Sequence, residues 1–363
     1  MLVDGARRRS TVLLLSHWPG SDPPARLRRD TSTEMALAHL VAPEPLPAGT
    51  GLVAIDHLDE DGLASLYALT SPGPALAQAE QLVGLARAGD FDVVEPGGPR
   101  EGARAAWALR RLLDPARTPL GELAGVDRPR VDGELLEVLL GRLAVLLGDP
   151  RKAAALSAEE EAAFATAASA LADGAARIDE RPEADLAVVH VADGVPPTAA
   201  GALGQGGLRL PVHPAALHAL TTAPRVLVVH TGGYVYYDRY ETWVALASRT
   251  LPARRDLVPL AARLAAAEGA EGAWRATPSS ALVAVLASAP GRASRLPPEA
   301  VEEALVAHLA TAPPAWLPGT PAPALVGGAG RGEGPRRSGG PRVGTTGRAR
   351  ARWRGPRRGG PSA

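Results

Sequence analysis

The apolar residues of this 363-residue chain gather into short runs of strand length, closed by glycine, proline or acidic residues. Residues 11–16 stop before Pro19 and Gly20, and residues 51–56 run into an acidic loop that ends at Gly62. Leu186–Val191 and Arg225–Thr231 repeat the pattern, the latter closed by Gly232-Gly233. Such runs read as buried strands. Amphipathic segments lie between them, at 32–40, 63–70, 78–88, 101–113, 132–148 and 157–176, and supply helices to cover the sheets. The expected fold is α/β: a Rossmann-like parallel-sheet lobe over residues 1–115, a helical connection over 116–182 and a second, smaller α/β lobe over 183–317. Residues 318–363 lose all periodicity to Gly, Pro and Arg and are expected to form a disordered tail, because such a segment has too little apolar surface to offset the entropy of ordering.

Aromatics are only 4% of the chain and Met only 2 residues, so Leu, Val and Ala must build the core. Cysteine is absent, which removes disulfides, thiolate metal sites and a Cys nucleophile, and fits a reducing compartment. No apolar run approaches the ~18–20 residues of a membrane span. The first one is too short for a secretory signal and meets His17 and Pro19. A cytoplasmic protein with no membrane partner is expected.

The net charge of +0 hides a segregation. After Gly327, ten arginines stand against Glu333 alone, which gives the tail +9 and leaves about −9 on the rest. An acidic body is a poor nucleic-acid surface, whereas the tail suits weak, sequence-independent contact through counterion release. It reads equally as a solvated extension.

The segment Asp56-His57-Leu58-Asp59-Glu60-Asp61-Gly62 concentrates one imidazole and four carboxylates at the end of a strand. In open α/β sheets ligands bind at the carboxyl ends of strands. Mg²⁺ and Mn²⁺ take oxygen ligands, and Mn²⁺ tolerates an imidazole best. His57, Asp59 and Asp61 alternate, so an extended backbone would project all three one way. Gly62 would allow a sharp exit, and the next helix N-terminus would favour a phosphate. A solvated acidic turn that caps the helix is the plainer reading. Asp90 precedes an expected short strand at 93–94 and is a candidate bridging carboxylate.

The string Ile55-Asp56-His57-Leu58-Asp59-Glu60-Asp61-Gly62-Leu63-Ala64-Ser65 resembles the first metal-binding motif of the DHH phosphoesterase superfamily, H-x-D-x-D-G. Ser16-His17-Trp18-Pro19 is similar to that family's Asp-His-His segment, and Thr31-Ser32-Thr33-Glu34 to the helix start that follows it. The chain departs from the pattern in keeping only His17 of the three signature residues. It also places this segment before H-x-D-x-D-G, which would require a circular permutation. The second lobe resembles the family's accessory domain in order of elements, with diluted glycines and Trp274 near the place of a binding histidine. The whole chain also resembles an uncharacterised bacterial family carrying a domain of unknown function.

The resemblance implies a phosphoesterase dependent on Mn²⁺ or Mg²⁺, acting on a small phosphorylated substrate or a short oligonucleotide. Asp59, Asp61 and His57 would be catalytic, and these three with His17 and Asp90 would hold the metal. Arg239, Arg249, Arg254 and Arg255 would clamp the phosphate if the second lobe closed over the loop. The alternative, favoured by the reduced Ser-His-Trp segment, is an inactive relative that binds a phosphorylated ligand or nucleotide.

The other features carry less. His213 and His218 are five apart and share no helical face. Four of the five tyrosines fall within 234–240 and read as a hairpin covering a sheet, or as a platform for a nucleobase. There is no Walker or dinucleotide glycine motif, and Gly201–Gly207 leads to Pro211 and not to a helix.

Overall fold

A computed structural model describes residues 1–95, 100–113, 128–195, 210–290, 293–319 and 349–352. The chain begins with β1 (Leu2–Val3), β2 (Leu14–Leu15), α1 (Ser32–Val41), β3 (Leu52–Ile55), α2 (Glu60–Thr70), α3 (Pro72–Ala77), α4 (Ala79–Asp90) and α5 (Glu101–Leu113). Two long helices follow, α6 (Arg128–Gly148) and α7 (Pro150–Ala172). The second lobe holds β4 (Ala176–Arg181), β5 (Leu186–Val191), α8 (Pro214–His218), β6 (Arg225–His230), β7 (Gly233–Asp238) and β8 (Arg254–Arg255). It is completed by α9 (Val258–Glu268), β9 (Trp274–Ala276), β10 (Ala284–Ser288), α10 (Pro298–Thr311) and β11 (Pro314–Trp316), and β12 (Ala349–Arg352) comes from the tail. The α/β class is as the sequence predicts. Among the described residues no helix is long and apolar enough to cross a membrane.

The first sheet has the order β12-β3-β1-β2. Strand β1 pairs in parallel with both β2 and β3, so the two strands that follow it in sequence lie on opposite sides of it. A crevice opens above such a strand, at the carboxyl ends. The second sheet has the order β4-β5-β6-β7-β10-β9, with β5 and β6 parallel and the rest antiparallel. Its side chains alternate between two cores. Val226, Val228 and Tyr237 join the core shared with the first lobe and α5–α7, while Leu227, Tyr236 and Leu286 pack under α9 and α10.

Two local readings are corrected. Helix α2 starts at Glu60, not Leu63, because Asp59 caps it and Glu60 and Asp61 fill its first turn, where the helix dipole favours acids. The loop is therefore not extended through Asp61, and the three side chains do not converge by alternation. Asp90 is the last residue of α4, and no strand follows it among the described residues. In the tail, where the sequence predicts disorder, the four described residues 349–352 form β12, which pairs antiparallel with β3, Ala349 with Ile55 through Arg352 with Leu52. An otherwise open strand edge offers a row of unpaired backbone groups, and the tail fills it. The other tail residues from 320 onward, and Gly201–Gly207, lie outside the described residues.

The lobes meet at the crevice. The Ala245 N–H donates to the His17 carbonyl at 2.9 Å. Those of Ala247 and Ser248 donate to Asp30 Oδ1 at 2.8 and 2.9 Å. Trp243 packs edge-on against Trp18 and stacks on Trp316.

Candidate metal centre

Each of the three parallel strands delivers a polar residue just past its carboxyl end: Asp4 after β1, His17 after β2, and His57 after β3. Helix α2 adds Asp59 and Asp61 from its N-terminus, and α4 adds Asp90 from its C-terminus. Asp4, His17, Asp61 and Asp90 are each at most 2% exposed, and Asp59 is 9% exposed.

Asp4 is the centre of the arrangement. It has a left-handed φ of 44°, a conformation that costs a non-glycine residue on the order of 1 kcal/mol and that gathers at functional sites. Its Oδ1 accepts from Ser32 Oγ at 3.0 Å and lies 3.7 Å from His17 Nε2. Its Oδ2 lies 3.5 Å from His57 Nε2 and has no hydrogen-bond partner. Ligand atoms of Asp4, His57 and Asp59 lie within 4.8 Å of one another, and so do those of Asp4, His17 and Asp61. The two triads share Asp4.

Each side chain is aimed by backbone groups. His17 Nδ1 donates to the Asp30 carbonyl at 2.5 Å, which turns Nε2 toward Asp90 Oδ2 at 3.3 Å and Asp4 Oδ1. Ring nitrogens so fixed are the usual state of metal-bound histidine. Asp61 accepts from the Ser32 and Thr33 N–H groups, both at 2.8 Å. The N-terminus of α1 therefore holds this carboxylate. Asp59 Oδ1 accepts from the Gly62 N–H at 2.8 Å, and its Oδ2 meets His57 Nε2 at 2.5 Å. The α2 N-terminus, expected to attract a phosphate, is thus engaged by its own cap. Gly62 is required here because a Cβ would stand 2.9 Å from Asp59 Oδ1 and 3.3 Å from Asp4 Oδ2.

Four carboxylates face two imidazoles in a largely buried space that reaches solvent at His57. Burial, then the charge of Asp59, pushes Asp4 well above the usual carboxylate range. Burial and the charges of Asp61, Asp59 and Asp4 do the same to Asp90. Burial alone would lower His57, but Asp59, Asp4 and Asp56 outweigh it and raise its pKa to about 10. Burial opposes ionisation of Asp59, yet His57 and the Gly62 N–H prevail and lower it to about 2. Buried like charges repel unless a counter-ion joins them, so the cluster is short of positive charge.

Aromatic rings wall the crevice. Phe91 and Tyr240 lie 5.9 and 6.1 Å from the His17 ring, and Trp18 lies 5.0 Å from that of His57. Tyr240, buried and facing Asp90 and Asp4, has its ionisation pushed well above the usual phenol range, first by burial.

The model of a family of unknown function, DUF6687, matches residues 1–320. The chain belongs to this family. No curated protein and no solved structure matches it. The matched span of DUF6687 takes in both lobes and every residue of the centre, and stops short of β12.

Of the residues singled out from the sequence, His17, His57, Asp59, Asp61 and Asp90 come together in this DUF6687 chain. The four arginines do not join them, and their partners lie in the second lobe. Arg239 donates to Glu241 at 2.6 and 3.1 Å and to the Thr221 carbonyl. Arg254, wholly buried, donates to Thr242 Oγ1 and to the carbonyls of Ser279, Ala281 and Leu282. Arg255 donates to the Leu309 carbonyl, and Arg249 to Glu241 and the Thr222 carbonyl. The loop's other acids are diverted as well: Asp56 pairs with Arg8, and Glu60 with the half-buried Arg110. His213 and His218 are satisfied apart, by Glu160 and by Phe91 with Tyr237. Asp4 escaped the sequence reading because β1 is two residues long, too short for any periodicity.

Proposed function

We propose that the crevice holds one or two divalent cations, Mn²⁺ or Mg²⁺, and that the protein hydrolyses a phosphodiester or phosphoanhydride bond. The observation that carries this reading is the sharing of Asp4 by two ligand triads, each within 4.8 Å. Two neighbouring cations that share one carboxylate are a recurrent device for displacement at phosphorus. The donor set fits, because it consists of carboxylate oxygens and imidazole nitrogens alone. His57, Asp59 and Asp4 would hold one cation, and His17, Asp61 and Asp4 the other, with Asp90 beside His17. The cation would supply a water of lowered pKa and neutralise charge on the phosphoryl oxygens.

The chain's own groups provide the rest. The Asp30 carbonyl and the N–H groups of Ser32, Thr33 and Gly62 hold ligands in place before any cation arrives. Phe91, Trp18, Tyr240 and Trp243 keep water from one side. The His57 side chain is 34% exposed and marks the way in for substrate. The likeness of residues 55–65 to the DHH motif supports the same reading.

A second reading, a silent protein that binds a phosphorylated ligand, is favoured by the reduction of the family's Asp-His-His to Ser16-His17-Trp18. Calorimetry of Mn²⁺ with the full chain and with Asp59→Asn tests the centre, followed by hydrolysis of phosphodiesters and pyrophosphate. Stoichiometric binding and hydrolysis, both lost in a folded variant, support an enzyme, and binding without hydrolysis selects the silent reading. Unchanged activity in Asp59→Asn would sink the assignment.

A further inference from the structure

Asp4 opens a loop whose next residues are Gly5-Ala6-Arg7-Arg8-Arg9. Residues 6–10 are exposed, yet the loop is fastened to the crevice. The Ala6 N–H donates to Asp56 Oδ2 at 2.9 Å, and Arg8 Nη2 donates to Asp56 Oδ1 at 2.9 Å. Asp56 directly precedes His57. The Arg8 N–H donates to Thr11 Oγ1 at 3.0 Å, which turns the loop back toward β2. Gly5 permits the close approach, because a Cβ there would stand 2.6 Å from Asp56 Oδ2. Three arginines are thereby carried on a loop that begins at the shared carboxylate: Arg8 reaches Asp56 beside His57, and Arg7 Nη1 donates to the Thr11 carbonyl at 3.4 Å.

Elsewhere some exposed arginines of the body, such as Arg29, Arg275 and Arg295, make no ion pair among the described residues, whereas Arg26 pairs with Glu44, Arg28 with Asp22 and Arg111 with Glu159. Among the described residues neither Arg7 nor Arg9 makes such a pair. Neighbouring like charges repel, and Asp56, which pairs with Arg8, offsets only part of that repulsion, so an external anion would relieve the remainder.

We infer that Arg7, Arg8 and Arg9 form a second, phosphate-binding subsite, which makes the protein selective for substrates carrying further phosphates next to the one held in the crevice. This rests on the phosphoesterase reading for the occupant of the crevice, but the arginine subsite has its own readout. An acidic body repels a polyanion, and the rim of three arginines offsets that locally. Guanidinium groups suit the task because they stay charged and can bind phosphate oxygens in pairs. The ligand chemistry is a run of phosphates, either a phosphodiester chain or the phosphoanhydride chain of a nucleoside triphosphate.

The test is fluorescence anisotropy of a labelled pentanucleotide on the full chain at fixed free Mg²⁺. Wild type is compared with Arg7→Ser/Arg9→Ser, and with Arg177→Ser on the second lobe as control. Unlabelled AMP and ATP compete in separate arms. The loop variant should lose affinity on the order of tenfold, with a salt slope shallower by about 0.7 per lost contact, while Arg177→Ser stays at the wild-type value. Where the substrate is a phosphoanhydride, ATP should compete better than AMP against wild type and lose that advantage in the variant. Competition by neither nucleotide assigns the subsite to phosphodiester chains. Equal pentanucleotide affinity and equal ATP-over-AMP preference in wild type and loop variant would overturn the inference. Mn²⁺ calorimetry on the same variant separates the two claims. Undiminished metal binding with lost anion affinity supports the subsite, and failure of wild type to bind Mn²⁺ removes the phosphoesterase reading alone.

Discussion

His17 Nε2 stands 3.3 Å from Asp90 Oδ2, and both side chains are at most 1% exposed. Asp90 belongs to a set with Asp4, Asp59 and Asp61, whose charges add to burial in holding its carboxyl well above the usual carboxylate range. Asp90→Asn should therefore leave the metal-free protein as stable as wild type, or more stable by about 1 kcal/mol. Wild type at a hundredfold excess of Mn²⁺ over its Kd should gain about 2.7 kcal/mol, and the variant should gain less at the same concentration. Thermal melts with EDTA and with Mn²⁺ read both. A variant that is much weakened in EDTA would show that the contacts of Asp90 within the protein outweigh its repulsion from the other carboxylates.

Gly62→Ala separates site from scaffold. The position is helical, so alanine should favour the helix by up to about 1 kcal/mol. Its Cβ, however, would press on Asp59 Oδ1 from 2.9 Å. Metal affinity should fall at least tenfold while the denaturant midpoint moves little. Calorimetry and urea unfolding on one preparation check this, and unchanged affinity would mean that the Asp59 carboxylate shifts freely.

His218 donates from Nδ1 to the Phe91 carbonyl at 2.9 Å and accepts from the Tyr237 hydroxyl at 3.0 Å. Burial, then the charge of Arg239, holds its pKa well below 6.5. Below pH 6.5 the unfolded chain takes up a proton that the folded chain refuses, so stability is lost as pH falls toward the folded pKa. The slope contributed by this one group is at most about 1.4 kcal/mol per pH unit. His218→Asn should be less stable at pH 7, by about 1–3 kcal/mol, and should lose less on going from pH 7 to 5. Parallel urea curves for the two proteins across that range would count against the assignment.

Arg254 holds together the segments around Thr242, Ser279 and Leu282 with a wholly buried guanidinium. Arg254→Met fills much of the space and leaves several carbonyls without donors, a loss of about 3 kcal/mol or more. Mn²⁺ affinity per folded molecule should not change. A variant of native stability with weakened phosphate affinity would instead restore the clamp suggested by the sequence.

What was legible in the sequence was the chemistry of single segments. Asp59, Asp61 and His57 stand together because they are close in the chain, and His17 because a strand ends there. Asp90 was reached by its place next to an expected strand, although the structure puts it on a helix end. The signals for the α2 start were present, with Asp59 as cap and acids after it, but the alternation His-x-Asp-x-Asp fits a strand as well. Asp4 and the burial of Arg239 and Arg254 depend on packing between distant segments, and no local pattern reports that. Of the tyrosine cluster, Tyr234, Tyr236 and Tyr237 lie on β7, as the hairpin reading expects, with Tyr236 and Tyr237 in opposite cores, whereas Tyr240 falls in the turn that follows.

Strand β12 comes from beyond the family-matched span and lies along the outer edge of β3. Its consequence concerns how copies of the protein keep apart. Cut away after residue 320, the chain would bare the β3 backbone from Leu52 to Ile55, with Leu52 already 51% exposed beside it. An uncovered edge recruits the nearest extended segment, which in a concentrated solution is another molecule's. The shortened protein should thus self-associate at concentrations where the full chain stays dispersed, so the tail acts as a built-in guard on the sheet.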